Sequence, residues 1–167
     1  VSCQLQRISM PTFLPMYVMA KRLCGTEQSF DSLKDEYMAG AFGQQGEKVS
    51  RLLETAESFF VSDEIRKLTK NEDTIIACER FLSDFSRQEG QITYSDEDPS
   101  INLSLKILKF FAGVIKRFVK ILILKEKGEE YLSQKGELFK YLDESELEYQ
   151  PYVDMLFFKQ GLESWIA

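Results

Sequence analysis

Histidine is missing from all 167 residues. Its absence removes serine–histidine and cysteine–histidine nucleophile pairs, histidine general bases and most transition-metal sites together. Cysteine is scarce. Cys3, Cys24 and Cys78 are widely spaced, odd in number and form no C-x-x-C pair. A zinc or dithiol redox site is therefore not expected. The thiols fit a reducing setting or an exported protein with few cysteines, so the compartment stays open. No phosphate loop occurs. Gly40, Gly43 and Gly46 stand three residues apart, but they follow a helical pattern rather than a strand. A dinucleotide fold needs the strand, so these glycines read as a helix stop and start.

Calcium chemistry is missing its pattern too. Asp96, Glu97 and Asp98 form an acidic run, yet the D-x-D-x-D-G register and the closing glutamate are absent. Basic residues are in deficit, 21 against 27 acids, and the net charge of −6 argues against nucleic acid as a main partner. The opening VSCQLQRISMPTFL lacks the basic-then-apolar build of a signal peptide. It also lacks an initiator methionine, and reads as a cut into a longer protein.

What the chain has in quantity is apolar bulk. Thirteen Phe and seven Tyr accompany one Trp, and hydrophobic residues make up 44%. This length and composition suit one globular domain over residues 1–167 with a sizeable core. The stretch Ile101 to Leu124 organises the rest. Leu108, Phe111, Ile115, Phe118 and Leu122 recur at steps of three and four, with Ile107, Val114 and Ile121 beside them. That spacing predicts one broad apolar helix face. Lys106, Lys109, Lys116, Arg117 and Lys120 hold much of the remaining surface. A membrane span tolerates no such scatter of charge through its middle, so a buried bundle helix is expected and no membrane partner. Residues 125–167 carry five Lys and ten Asp or Glu, a net of −5. The basic helix and this acidic segment are expected to be neighbours that neutralise each other.

The remaining helices follow from periodicity and punctuation. The first begins near Pro15, continues through Tyr17 to Leu23 and ends at Gly25. Ser29 or Asp31 caps the second, whose apolar face is Phe30, Leu33, Tyr37 and Ala41, with Gly43 as the stop. Gly46 opens a third with the stripe Val49, Leu52, Leu53, Ala56, Phe59 and Phe60. Ser62 to Lys70 is weaker, one or two turns. Asn71 or Asp73 caps a helix running through Gln88 with Ile75, Cys78, Leu82 and Phe85 inward, ended by Gly90. Gly90 to Ser100 is a polar loop, ITYS at 92–95 is too short for a strand, and Ser100 caps the central helix. Beyond the break at Lys125 to Gly128, a helix from Glu129 to about Glu144 turns Tyr131, Leu132, Leu138, Phe139 and Leu142 inward. Pro151 reads as a first-turn proline, and the last helix, Tyr152 to Ile166, packs through Val153, Leu156, Phe157 and Trp165. The expected fold is all-α, a bundle of about six or seven helices around 101–124.

Carbohydrate chemistry would need two carboxylates facing each other across a sugar. Asp35 and Glu36 are adjacent, so on a helix they diverge by about 100°. Glu144, Glu146 and Glu148 look like a solvated turn. Trp165, Tyr149, Tyr152 and Tyr94 could stack on sugar rings, but core or interface packing is the ordinary use of each. No catalytic, cofactor-binding or metal residue is assigned, and no cofactor.

Two segments nonetheless carry a resemblance. LPMYVMAKRL, Leu14 to Leu23, followed by FDSLKDEYMAGAFG, Phe30 to Gly43, resembles a segment of large bacterial glycoside-hydrolase-like proteins of unknown function. That family is itself similar to α-glucuronidases and β-hexosaminidases. There a YVMAKLLW helix and a DEY…AFG segment follow the catalytic barrel. QPYVD, Gln150 to Asp154, is similar to a second feature of the same helical region. Cys24 stands where the family usually has Trp. The resemblance implies a non-catalytic C-terminal helical module that buttresses a barrel absent from this chain, with no functional residue to carry over. The implied partner is the barrel, met through the N-terminal end near Met10 to Tyr17 and the Cys24 turn. The exposed patch left in an isolated chain would favour self-association. The alternative, from a different class, is a free-standing helical domain that binds a partner protein.

Overall fold

The computed structural model describes residues 11–62, 65 and 72–166. Within them the chain forms seven α-helices and no strand: α1 Leu14–Leu23, α2 Phe30–Phe42, α3 Gly46–Phe60, α4 Glu72–Glu89, α5 Pro99–Lys127, α6 Leu132–Tyr149 and α7 Met155–Ile166. A short 3₁₀ turn, Gly43–Gln45, joins α2 to α3. The fold is thus the expected all-α bundle. The weak segment expected over Ser62 to Lys70, and Asn71 as a cap, lie mostly outside the described residues.

The long helix is central, as its stripe predicts. α5 packs against α2, α4, α6 and α7. Twelve of its 29 residues are buried, including Leu108, Val114, Ile115, Phe118, Ile121 and Leu122 from the predicted face. Neighbours on several sides bury more than one stripe, so Phe110, Ala112, Val119 and Ile123 are buried as well. Phe111, expected at the heart of the face, is only partly buried. Its ring lines a surface groove instead.

The ends of α5 are set by local chemistry, and one differs from expectation. The cap is Asp98, not Ser100: its carboxylate accepts from the backbone N–H of Ser100 at 2.8 Å. Pro99 then occupies the first turn, where its missing donor costs nothing and its φ is already helical. At the other end Gly128 adopts φ 71°. The N–H of Glu129 reaches Leu124 O at 2.9 Å and that of Gly128 reaches Lys125 O at 3.1 Å. This is the paired closure that a left-handed glycine permits.

Elsewhere the caps move boundaries by a few residues. Ser29 caps α2 by accepting from Ser32 N at 3.1 Å. Glu130 accepts from Leu132 N at 2.6 Å and starts α6 later than Glu129. α6 also runs on to Tyr149, past Glu144. Pro151 is not a first-turn residue: it lies in a turn, and Asp154 accepts from Phe157 N at 3.1 Å to start α7 at Met155.

Those shifts rotate the faces. Leu132, Leu156 and Phe157, expected inward, are 65%, 68% and 52% exposed. α7 packs instead through Met155, Phe158, Leu162, Trp165 and Ile166. Phe30 likewise faces out, and α2 buries Leu33, Met38 and Phe42. On α4 the buried residues are Thr74, Cys78, Phe81 and Phe85, with Ile75 and Leu82 at the margin. Phe59 stacks on Phe81 with ring centroids 4.0 Å apart, which locks α3 to α4. Apart from Leu33 and Thr74, the buried side chains form one continuous core from Met38 to Ile166.

The basic helix finds one carboxylate in the acidic segment, as expected, and others on α4. Lys106 pairs with Glu148 on α6. Lys116 pairs with Glu89 on α4 at 2.9 Å, and Lys127 with Glu79 at 2.8 Å. Much of the acidic segment pairs within itself, with Lys159 bridging Asp143 and Glu146. These pairs are at least partly exposed, so each contributes little.

Two glycines permit close helix crossings. A Cβ on Gly46 would stand 2.8 Å from Met38 O, and one on Gly113 would stand 2.9 Å from the Tyr141 hydroxyl. Gly136, by contrast, has nothing within 4 Å of that position. Replacing Gly46 with Ala should cost about 1–3 kcal/mol of overpacking. Gly136→Ala should stabilise by about 0.5–1 kcal/mol through backbone entropy. Urea titrations of both variants check the pair, and the same sign for both would refute the packing assignment. Phe118→Ala should cost about 3–5 kcal/mol, while half-buried Phe111→Ala should cost clearly less. Equal losses would show that the two rings are equally enclosed.

Candidate functional site

The residues singled out for chemistry do not converge. Glu36 ion-pairs with Lys21 at 2.8 Å, while its neighbour Asp35 faces solvent. Glu146 and Glu148 are paired with Lys159 and Lys106 on the outside of α6. Asp96 and Asp98 spend their carboxylates on local backbone, Asp98 N to Asp96 Oδ1 at 3.0 Å and Ser100 N to Asp98. Among the described residues no group of three His, Cys, Asp or Glu could hold a metal ion. None of the described helices is long and apolar enough to cross a membrane. Gly43 has φ 53° and Gly46 starts α3, so the spaced glycines serve a helix turn.

Of the aromatic candidates, Tyr94 and Tyr149 share one cleft. They line a shallow cleft of about 620 Å³ with Phe110, Tyr141, Lys106 and Lys109. Its ring faces are already used. Phe110 stacks on Tyr149 at 4.2 Å and on Tyr141 at 5.6 Å. Arg117 covers Tyr141 at 4.1 Å, and Lys109 lies over Tyr94 at 5.8 Å. Phe110 is 1% and Tyr149 8% exposed. The cleft is the outer edge of an aromatic stack and presents no free platform for a sugar. Trp165, partly buried at the margin of the core, packs edge-on against Phe60 and Phe118.

Two other concavities are better formed. The first is apolar, about 480 Å³, where α1 meets α2 and α3, lined chiefly by Pro11, Leu14, Pro15, Phe30, Phe60 and Phe111. It sits beside the only helix of the seven described that buries no residue: α1 leaves Val18 and Met19 half-covered and Leu23 64% exposed. α1 is held to α2 by Tyr37, whose hydroxyl accepts from Phe13 N at 2.9 Å, and by the Lys21–Glu36 pair. Cys24, at its end, is exposed.

The second concavity is polar, about 630 Å³, with α4, α5 and α6 as walls. Ser83 and Ser86 come from α4, Lys116, Arg117 and Lys120 from α5, and Gln134 and Glu137 from α6. Each wall contributes side chains three or four residues apart, the spacing that places them on one helix face. None of these residues is singled out by a motif. The only sequence signal is the i, i+4 pair Lys116 and Lys120 on an otherwise apolar helix.

The sequence matches no protein-family model, and neither curated proteins nor solved structures include one significantly similar to it.

Burial shapes the titration of several groups. It pushes the Cys78 thiol up to about 11, with Glu126 and Glu79 adding to the effect. It also raises Tyr149 to about 12, and lifts Tyr94 beside Glu89 well above the tyrosine range. A raised acid holds its proton in the folded chain while the unfolded chain releases it. The stability from these groups is therefore complete below about pH 9, the ordinary thiol value, and is lost as pH rises towards 12. The urea midpoint should fall steadily across that window, and a flat profile would contradict the burial of these groups. In the native chain at pH 8, a thiol reagent should label Cys24 and spare Cys78, as read by peptide mass mapping. Rapid labelling of Cys78 would place it outside the core.

Proposed function

We propose that the chain is a non-catalytic helical module of a glycoside-hydrolase-like, carbohydrate-active protein, seated against a catalytic barrel through its α1 face. One observation carries the reading: α1 is apolar in sequence and yet buries none of its residues. Apolar surface left uncovered on a helix is stabilised only when a partner removes it from water. The apolar groove beside α1 extends that surface through Phe30, Phe60 and Phe111. The two segments that resemble the glycoside-hydrolase-like family, Leu14 to Leu23 and Phe30 to Gly43, are α1 and α2 with its stop. In that family they follow the barrel, so a barrel is the occupant proposed for the uncovered face. The role is mechanical. Of the carboxylates singled out, Glu36, Glu146 and Glu148 pair with lysines and Asp96 and Asp98 bind local backbone, whereas general acid–base work on a glycosidic bond needs two of them about 5–10 Å apart with one raised in pKa.

The purified chain should hydrolyse no aryl-glycoside. Its mass in solution should rise with concentration through the exposed face, and Leu23→Lys with Phe30→Ser should return it to monomer. Turnover that vanishes on changing one carboxylate of this chain would overturn the reading. So would a chain that stays monomeric at every concentration. A longer product of the same gene with no barrel-length sequence before Val1 would transfer the α1 face to a separate protein partner.

A further inference from the structure

The polar cleft between α4, α5 and α6 has no part in the module reading and stands independently of it. Its α5 wall is a donor wall. Lys120 makes no hydrogen bond or ion pair with a described residue. Arg117 gives one N–H to Gly113 O at 3.0 Å and lays its plane on Tyr141 at 4.1 Å. A guanidinium has five donors in a rigid fork, so most of Arg117 remains unused. Lys116, at the far end, is committed to Glu89. The α4 wall adds the hydroxyls of Ser83 and Ser86, which have no described partner. The α6 wall presents a carboxylate. Gln134 Oε1 is closed off from solvent behind the wall, and Glu137, one turn on, is the accessible acceptor. Of the two carboxylates at the cleft, Glu79 is taken by Lys127 at 2.8 Å, while Glu137 is exposed and has no partner among the described residues. The uncommitted charges are thus two cations against one carboxylate, a local positive excess on a chain of net charge −6.

We infer that this cleft is a binding site for a small anionic polyol, a hydroxylated molecule bearing one phosphate or carboxylate group. The anionic group seats on Arg117 and Lys120, where an ion and a planar fork of donors match its oxygens. The hydroxyls donate to Glu137 and exchange hydrogen bonds with Ser83 and Ser86. A bare anion satisfies only the donor wall. A neutral polyol satisfies only the acceptors and hydroxyls. The volume of about 630 Å³ suits a ligand of one or two rings.

The test is calorimetric titration of the whole chain with four probes: glucose 6-phosphate, gluconate, inorganic phosphate and glucose. At least one of the first two should bind at least tenfold more tightly than both inorganic phosphate and glucose. Which of them does so distinguishes a phosphate from a carboxylate ligand. Added salt should weaken the binding, because the recognition is partly ionic. Lys120→Gln and Ser86→Ala, both surface changes away from the core, should each weaken it about tenfold or more with the melting temperature unchanged. Ser83→Ala should weaken the polyol while leaving any binding of inorganic phosphate alone. The proposal fails if neither anionic polyol binds, if inorganic phosphate binds as tightly as they do, or if Lys120→Gln binds as the parent does.

Discussion

Everything in this bundle depends on the enclosure of α5. A helix with 12 buried residues spread round much of its circumference cannot be served by one neighbour. It needs α2, α4, α6 and α7 at once, and those helices need it, since it is the element that α2, α4 and α6 share. Removing that much apolar surface from water, at roughly 25 cal/mol per Å², is what chiefly holds the fold together. The charged residues of α5 are pushed to the gaps between its neighbours. Lys116 emerges toward α4, Lys106 toward α6, and each finds a carboxylate there.

That constraint also explains where the molecule has features to spare. α1 lies outside the inner helices, packs chiefly on α2, and buries none of its residues fully. The polar cleft has the same origin. Over a basic turn of α5 the gap between α4 and α6 is lined by Lys116, Arg117, Lys120, Gln134 and Glu137 together with Ser83 and Ser86. The aromatic stack of Tyr141, Phe110 and Tyr149 closes the next gap along the helix, and there the rings leave no usable space.

The local features were the legible ones. Periodicity located all seven described helices, because the 3.6-residue repeat is written by each helix for itself. Gly128, Ser29 and Gly46 were legible as punctuation for the same reason. The cap of α5 was misplaced by two residues because Asp98, Pro99 and Ser100 are each plausible at a helix start. Only the observed hydrogen bonds choose Asp98. The inward faces of α6 and α7 slipped because the boundaries did. A helix begun three residues early points a different set of side chains at the core, which is how Leu156 and Phe157 came to be expected there. Phe110 and Phe111 are adjacent and identical, and nothing in one chain says which of them meets a tyrosine stack and which a groove.

The sequence by itself determined the secondary structure, the all-α class, the central place of residues 101–124 and the absence of histidine chemistry. These follow from residue types and their spacing along one helix. The tertiary structure decided which side chains become neighbours across helices. Ser83, Lys120 and Gln134 stand 37 and 14 residues apart in the chain and line one cleft. Gly46 is required by the backbone of Met38 and not by its own turn alone. No repeat or motif records such pairings, because the crossing of two helices is set by how all the side chains between them fill space.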